Sequence, residues 1–156
     1  MLIEAFSFAT RDLSDWGARN PFNEPSAALD ESRAKNRTVN PKRVLVIEDN
    51  IDSARSLAAL VQEMGHRTEY AINGYAGLAL VRVFRPEVIL LDLGLPGMSG
   101  FEFCSRLRDD QATRGIRVLV LTAYGDEEHR ARSRALGCEM HLVKPIPSDV
   151  LEELLR

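Results

Sequence analysis

Three carboxylates, a threonine and a lysine stand at the ends of short apolar runs in this chain. Glu48 and Asp49 follow the run in VLVIEDN, Asp92 interrupts VILLDLGLPG, Thr122 lies in VLTAYG, and Lys144 precedes Pro145 in LVKP. A carboxylate at the end of a buried run carries a large desolvation cost unless something compensates. Three carboxylates brought together would repel one another, so they would hold protons or recruit a cation. An all-oxygen ligand set that protein does not fully enclose suits Mg²⁺, which keeps waters and accepts phosphate oxygens; Mn²⁺ could substitute. Lys144 adds a second positive charge. A metal, a lysine and a spare carboxylate are suited to holding a phosphoryl group. The central carboxylate, Asp92, can itself be the nucleophile and form an aspartyl-phosphate.

These residues can meet only if the elements between them bring them to one place. Val44 to Ile47, Arg67 to Ala71, Val88 to Leu91, Val118 to Leu121 and Met140 to Val143 read as five short strands. Between and after them the spacing predicts helices. Residues 51–64 place Leu57, Leu60, Val61 and Met64 on one face and stop at Gly65. Asn73 caps a second helix in which Ala76, Ala79, Leu80 and Val83 line up. Gly100, Phe103, Cys104 and Leu107 mark a third. Residues 126–136 form a fourth with a thin apolar face, and Ser148 caps a fifth carrying Leu151, Leu154 and Leu155. Strands without strict alternation, separated by helices, predict an α/β, doubly wound five-stranded parallel sheet with helices on both faces. Residues past the carboxyl ends of parallel strands gather along one edge, where ligands bind. Glu48, Asp49, Asp92, Thr122 and Lys144 all occupy such positions.

The rest of the chain narrows the class. The 156 residues include 20 basic and 23 acidic side chains, a net charge of −3 that gives no general attraction to nucleic acid or membrane. No apolar run approaches the ~20 residues of a membrane helix. The amino terminus lacks the pattern of a signal peptide. Two cysteines, Cys104 and Cys138, show neither metal spacing nor a disulfide framework and read as packing residues in a reducing compartment. A cytoplasmic location is the expectation. His66 and His129 read as surface residues. Residues 1–41 read as a flexible extension, in which Leu2, Phe6, Ala9, Leu13 and Trp16 define the stripe of a short amphipathic helix over 2–16, a candidate docking element. The domain proper is expected over 42–156.

Taken singly, the site residues have plainer readings: a strand-end acid as a helix cap, a threonine as a β former, a lysine as a solvated cation. Their ordered combination is what carries weight. Residues 43–156 resemble the receiver domain of two-component response regulators, in the acidic pair of VLVIEDN, the acceptor segment VILLDLGLPGMSG, the threonine of VLTAYG and the lysine-proline of LVKP. The resemblance implies strand order 2-1-3-4-5. It implies that Asp92 accepts a phosphoryl group from a histidine kinase or histidine phosphotransfer protein. Asp49 and Asp92 would bind Mg²⁺, Glu48 would act largely through a bound water, and the backbone carbonyl of Gly94 would complete the protein's share. Lys144 would pair with the carboxylate and then with phosphoryl oxygens, helped by a cis Lys144–Pro145 bond. Thr122 would bond a phosphoryl oxygen and draw its loop inward. The face made by the helix over 126–136, the last strand and the last helix would then meet a downstream protein partner, with a phosphorylation-dependent dimer as another form of readout. Such a domain is a switch that catalyses only its own phosphorylation and dephosphorylation. A stand-alone receiver without an output domain is the expectation, the alternative being a piece cut from something longer.

Three positions depart from the pattern or bear on phosphoryl lifetime. His141 stands where receivers usually carry Tyr or Phe; imidazole can stack and swing but is smaller and can take up a proton. Gly94 brings no side chain to the pocket, whereas Tyr124 could shield it. Two rival chemistries fit less well. A dehalogenase-type hydrolase wants a second Asp where Gly94 stands, and a flavodoxin-like carrier wants a phosphate-cradling loop where this chain has acids.

Overall fold

The computed structural model describes residues 40–123 and 127–156. The expectations for residues 1–39, and for Tyr124 and Asp126, lie outside the described residues. Five strands alternate with five helices: β1 (Arg43–Ile47), α1 (Ile51–Glu63), β2 (Arg67–Ala71), α2 (Gly74–Phe84), β3 (Val88–Asp92), α3 (Gly100–Asp109), β4 (Arg117–Thr122), α4 (Glu127–Ala135), β5 (Met140–Val143) and α5 (Ser148–Leu155). All pairings are parallel, in the order β2-β1-β3-β4-β5. The three central strands are sealed on both faces, which is why their sequences are continuously apolar. Edge strand β2 is RTEYA, half-exposed and polar, as an unpaired edge requires.

The sheet separates two cores. On one face Val44, Val46, Val88, Leu90, Leu119 and Leu121 meet Ala58 and Val61 of α1 and Leu151 and Leu155 of α5. On the other, Leu45, Ile47, Ile89, Leu91, Val118 and Val120 meet Val81 of α2 and Phe103, Cys104 and Leu107 of α3. Asn50, Asn73 and Ser99 cap α1, α2 and α3 by accepting the N–H of Ser53, Ala76 and Glu102. Helix α4 buries only Ser133 along its length. The thin apolar face of the sequence therefore corresponds to weak anchoring.

Several local expectations fail for identifiable reasons. In α2 the buried positions are Gly74, Gly77 and Val81, while Ala79 and Val83 face solvent. The helix lies so close to the sheet that a Cβ on Gly77 would come within 2.7 Å of Ile47 Cδ1. Close approach, rather than hydropathy, sets its inward face, and glycine carries no hydropathic signal. Ser148 is the first residue of α5 and not its cap. Pro147 takes that place, with no side-chain cap bond. The opposite end of α5 is pinned: Arg117 donates to the Leu154 carbonyl at 3.0 Å and Lys42 to that of Leu155 at 2.8 Å. No helix among the described residues is long and apolar enough to cross a membrane.

His66 is buried rather than on the surface, and His129 is half-buried, stacked on Phe101 with ring centroids 5.8 Å apart. The chain turns at Gly65 and tucks the His66 ring under Lys42, whose backbone N–H donates to Nδ1 at 3.3 Å. Burial, and secondarily the Lys42 charge, hold His66 below the ordinary histidine value, with Glu152 opposing. A base whose folded pKa is depressed contributes stability that is complete above its unfolded value of 6.5 and is lost as pH falls through the folded value. Urea midpoints measured at about pH 7.5 and about pH 5.5 should therefore fall more steeply on acidification for the wild type than for His66→Gln.

Candidate functional site

The carboxyl ends of β1 and β3 are adjacent in the sheet, with Ile47 opposite Leu91 in register. The residues just beyond them are therefore neighbours. Glu48 is buried, Asp92 partly buried and Asp49 exposed; each places a carboxylate oxygen within 4.8 Å of the others. Glu48 owes its position to the sheet, since its N–H extends the ladder by donating to Ala71 O at 3.0 Å. The first turn of α1 starts at once, capped by Asn50, and leaves Asp49 at the mouth.

Lys144 reaches this cluster from the end of β5. Its ammonium donates to Glu48 Oε2 and, at 3.1 Å, to Asp92 Oδ2. Its backbone N–H donates to Thr122 O at 2.8 Å, which ties the tips of β4 and β5 together. Thr122 is buried at its strand end, opposite Val143. The Lys144–Pro145 peptide is cis. Gly94 folds back so that its N–H donates to Asp92 Oδ1 at 3.0 Å. A Cβ at residue 94 would lie 3.6 Å from that same oxygen, so glycine here leaves the carboxylate open on one side.

The charges respond to this crowding. Burial raises the Glu48 carboxyl above its usual range, and Asp92 adds to the rise while Lys144 opposes it. For Lys144, burial favours the neutral amine, but hydrogen bonds and attraction from Glu48 and Asp92 outweigh it and raise the value. The two shifts are consistent: one ammonium is shared by two carboxylates, so it is held charged while buried Glu48 is left short of positive charge. That deficit of positive charge, an oxygen-only donor set and an exposed third carboxylate fit a hard divalent cation such as Mg²⁺.

His141 lies apart from this cluster. It is half-buried on β5, opposite Val120, with Nδ1 3.3 Å from Ser133 Oγ of α4. The Ser133 hydroxyl also donates to His129 O at 2.8 Å. The imidazole thus connects the last strand to the weakly anchored α4. Two features had no sequence signal. Arg108 spans from α3 to carbonyls of the following loop and of the turn after α4, and the sulfurs of Cys104 and Cys138 come together although 34 residues separate them.

Residues 44–156 match the family model described as the response regulator receiver domain. The chain belongs to that family. The receiver is 40% identical over 109 residues to the polar-differentiation response regulator DivK of Brucella anthropi, covering 68% of this chain and 86% of DivK. It is 31% identical to protein PilH of Pseudomonas aeruginosa, covering 70% and 90%. Among solved structures it is similar to the chemotaxis protein CheY4 of Vibrio cholerae, with a TM-score of 0.70, 30% identity, and coverage of 74% of this chain and 96% of that one. Sheet order, helix placement and the clustered acids thus agree with the family that the motifs resemble.

Removing the shared ammonium leaves a buried acceptor on Glu48 without its donor. Lys144→Ala should therefore lower the unfolding free energy by about 1–3 kcal/mol in chelator-treated protein. Added Mg²⁺ should recover part of the loss, as read from urea midpoints.

Proposed function

We propose that this receiver takes a phosphoryl group onto Asp92 from the phosphohistidine of a histidine kinase or histidine phosphotransfer protein. The carrying observation is the position of the Asp92 carboxylate at the end of central strand β3, between an acidic pair and the Lys144 ammonium. One Asp92 oxygen attacks phosphorus while the bond from phosphorus to the donor imidazole nitrogen breaks, and the imidazole leaves with the electron pair. Glu48, Asp49, Asp92 and the Gly94 carbonyl would hold Mg²⁺, Glu48 chiefly through water; when bound, the metal would neutralise charge on the phosphoryl oxygens.

The remaining work falls to the chain's own groups. Lys144 exchanges a carboxylate partner for a phosphoryl oxygen, which keeps an ion pair throughout the transfer. The Thr122 hydroxyl, on the neighbouring strand tip, donates to a second oxygen. Phosphorylation adds roughly two negative charges to a site already acidic. The arrangement in which Thr122 and Lys144 both face the phosphoryl group is then favoured by differential contacts, and the population shifts towards it. The shift is read on the face of α4, β5 and α5 by a protein partner, with His141 as the link between β5 and α4. The weak anchoring of α4 supports this assignment, because little packing opposes its movement. In this reading the domain is a signalling switch whose only chemistry is performed on itself.

Incubation with acetyl phosphate and Mg²⁺, followed by intact mass measurement, should show a gain of one phosphoryl group. Asp92→Asn, or the wild type in chelator, should show none; an equal gain in Asp92→Asn would refute the assignment. The family match starts at residue 44. Deletion of residues 1–40 should accordingly leave the phosphorylated fraction unchanged in the same assay, and a loss would place part of the working domain in the removed segment.

A further inference from the structure

The phosphoryl pocket makes no use of Cys104 and Cys138, yet the fold sets their sulfurs 3.2 Å apart. Both are free thiols. Cys104 lies on the inner face of α3 at 0% exposure, and Cys138 lies in the turn between α4 and β5 at 7%. The small difference decides access. Cys138 lines a cavity of about 190 Å³ with Arg130, Ser133, Arg134 and His141, whereas Cys104 does not. That cavity has room for molecules the size of water or peroxide, and its polar groups can hydrogen-bond them.

A third residue completes the arrangement. Arg108 of α3 donates to the Leu136 and Gly137 carbonyls at 3.2 and 2.9 Å and to those of Arg114 and Ile116 at 2.8 and 3.0 Å. Four acceptors fix the guanidinium beside the turn that bears Cys138. All four are carbonyl dipoles, which leave its charge free to favour a thiolate nearby. Contact with Cys138, and burial, raise the Cys104 thiol above its ordinary value, while the Arg108 charge favours the thiolate form of Cys138. The accessible sulfur is therefore also the one on the turn that Arg108 grips.

We propose that Cys104 and Cys138 form a peroxide-oxidisable dithiol, in which Cys138 reacts through the cavity and Cys104 then closes a disulfide joining α3 to the α4–β5 turn. In the first step the Cys138 thiolate attacks one peroxide oxygen. An S–O bond forms, the O–O bond breaks, and hydroxide leaves and becomes water with the thiol's proton. In the second, Cys104 sulfur attacks Cys138 sulfur. The S–S bond forms, the S–O bond breaks, and the departing hydroxide takes the Cys104 proton. Two thiols are oxidised, one hydrogen peroxide is reduced, and two waters result. The sulfurs need to approach by only about 1 Å to reach bonding distance. The product is a covalent tether on the turn that leads into His141, outside the phosphoryl pocket.

The test treats the full chain with stoichiometric hydrogen peroxide in metal-free buffer, then denatures it in alkylating reagent and measures intact mass. Untreated protein should take two alkyl groups. Treated protein should take none and lose two hydrogens, reversibly with dithiothreitol, and peptide mapping should join Cys104 to Cys138. In Cys104→Ala, dimedone should trap Cys138 as a sulfenic acid. In Cys138→Ser, Cys104 should keep its thiol through the same exposure. Two alkylatable thiols after treatment, a linked dimer in place of the internal bond, or Cys104 oxidation in Cys138→Ser at the wild-type rate would each overturn the proposal.

Discussion

The site rests on one ammonium shared between two carboxylates. Lys144 contacts Glu48 and Asp92 together, and those residues come from β5, β1 and β3, strands that are not consecutive in the chain. Neither acid could sit at its depth with the other beside it unless positive charge stood within reach. The parallel sheet makes the meeting possible by delivering every strand end to one edge. The sealed strands make it rigid, because their positions are fixed by packing on both faces. Electrostatics and topology are therefore parts of a single constraint: the sheet assembles the repulsion, and the lysine offsets part of it.

The pocket and the surface that would report on it differ in firmness. Around Glu48 and Asp92 the strands are buried and the adjoining helix is capped by a side chain. Around His141 the strand is four residues long and half-exposed, and α4 gives one buried side chain, Ser133, to the interior. Ser133 bonds both His129 and His141. The Lys144 and Thr122 tips thus stand between a firmly packed frame on one side and a thinly packed segment on the other.

Much of this was legible in the sequence, for physical reasons that can be named. A strand buried on both faces must be continuously apolar, so β1, β3 and β4 could be recognised by composition, and the polar residues ending them stood out as needing partners. The order of those partners along the chain was enough to place them on one edge. What escaped was decided by distance rather than by hydropathy. The inward face of α2 is set by Gly74 and Gly77, which allow close approach and contribute nothing to an apolar stripe. His66 is polar and buried because a tight turn leaves it no other place. Pro147 takes the cap position that Ser148 suggests. The meeting of Cys104 with Cys138, and the span of Arg108, depend on how a helix packs beside a distant turn, and no local pattern encodes that.

The two ends of α5 are held unequally, and this has a mechanical consequence. Its last carbonyls are gripped by Arg117, at the start of β4, and by Lys42, just ahead of β1. Its first turn follows the segment after Lys144, has no side-chain cap and is seated only by Leu151. Along its length of about 12 Å the helix is therefore held by polar clamps at its foot and by apolar packing alone, through Leu151, at the end nearest the lysine loop.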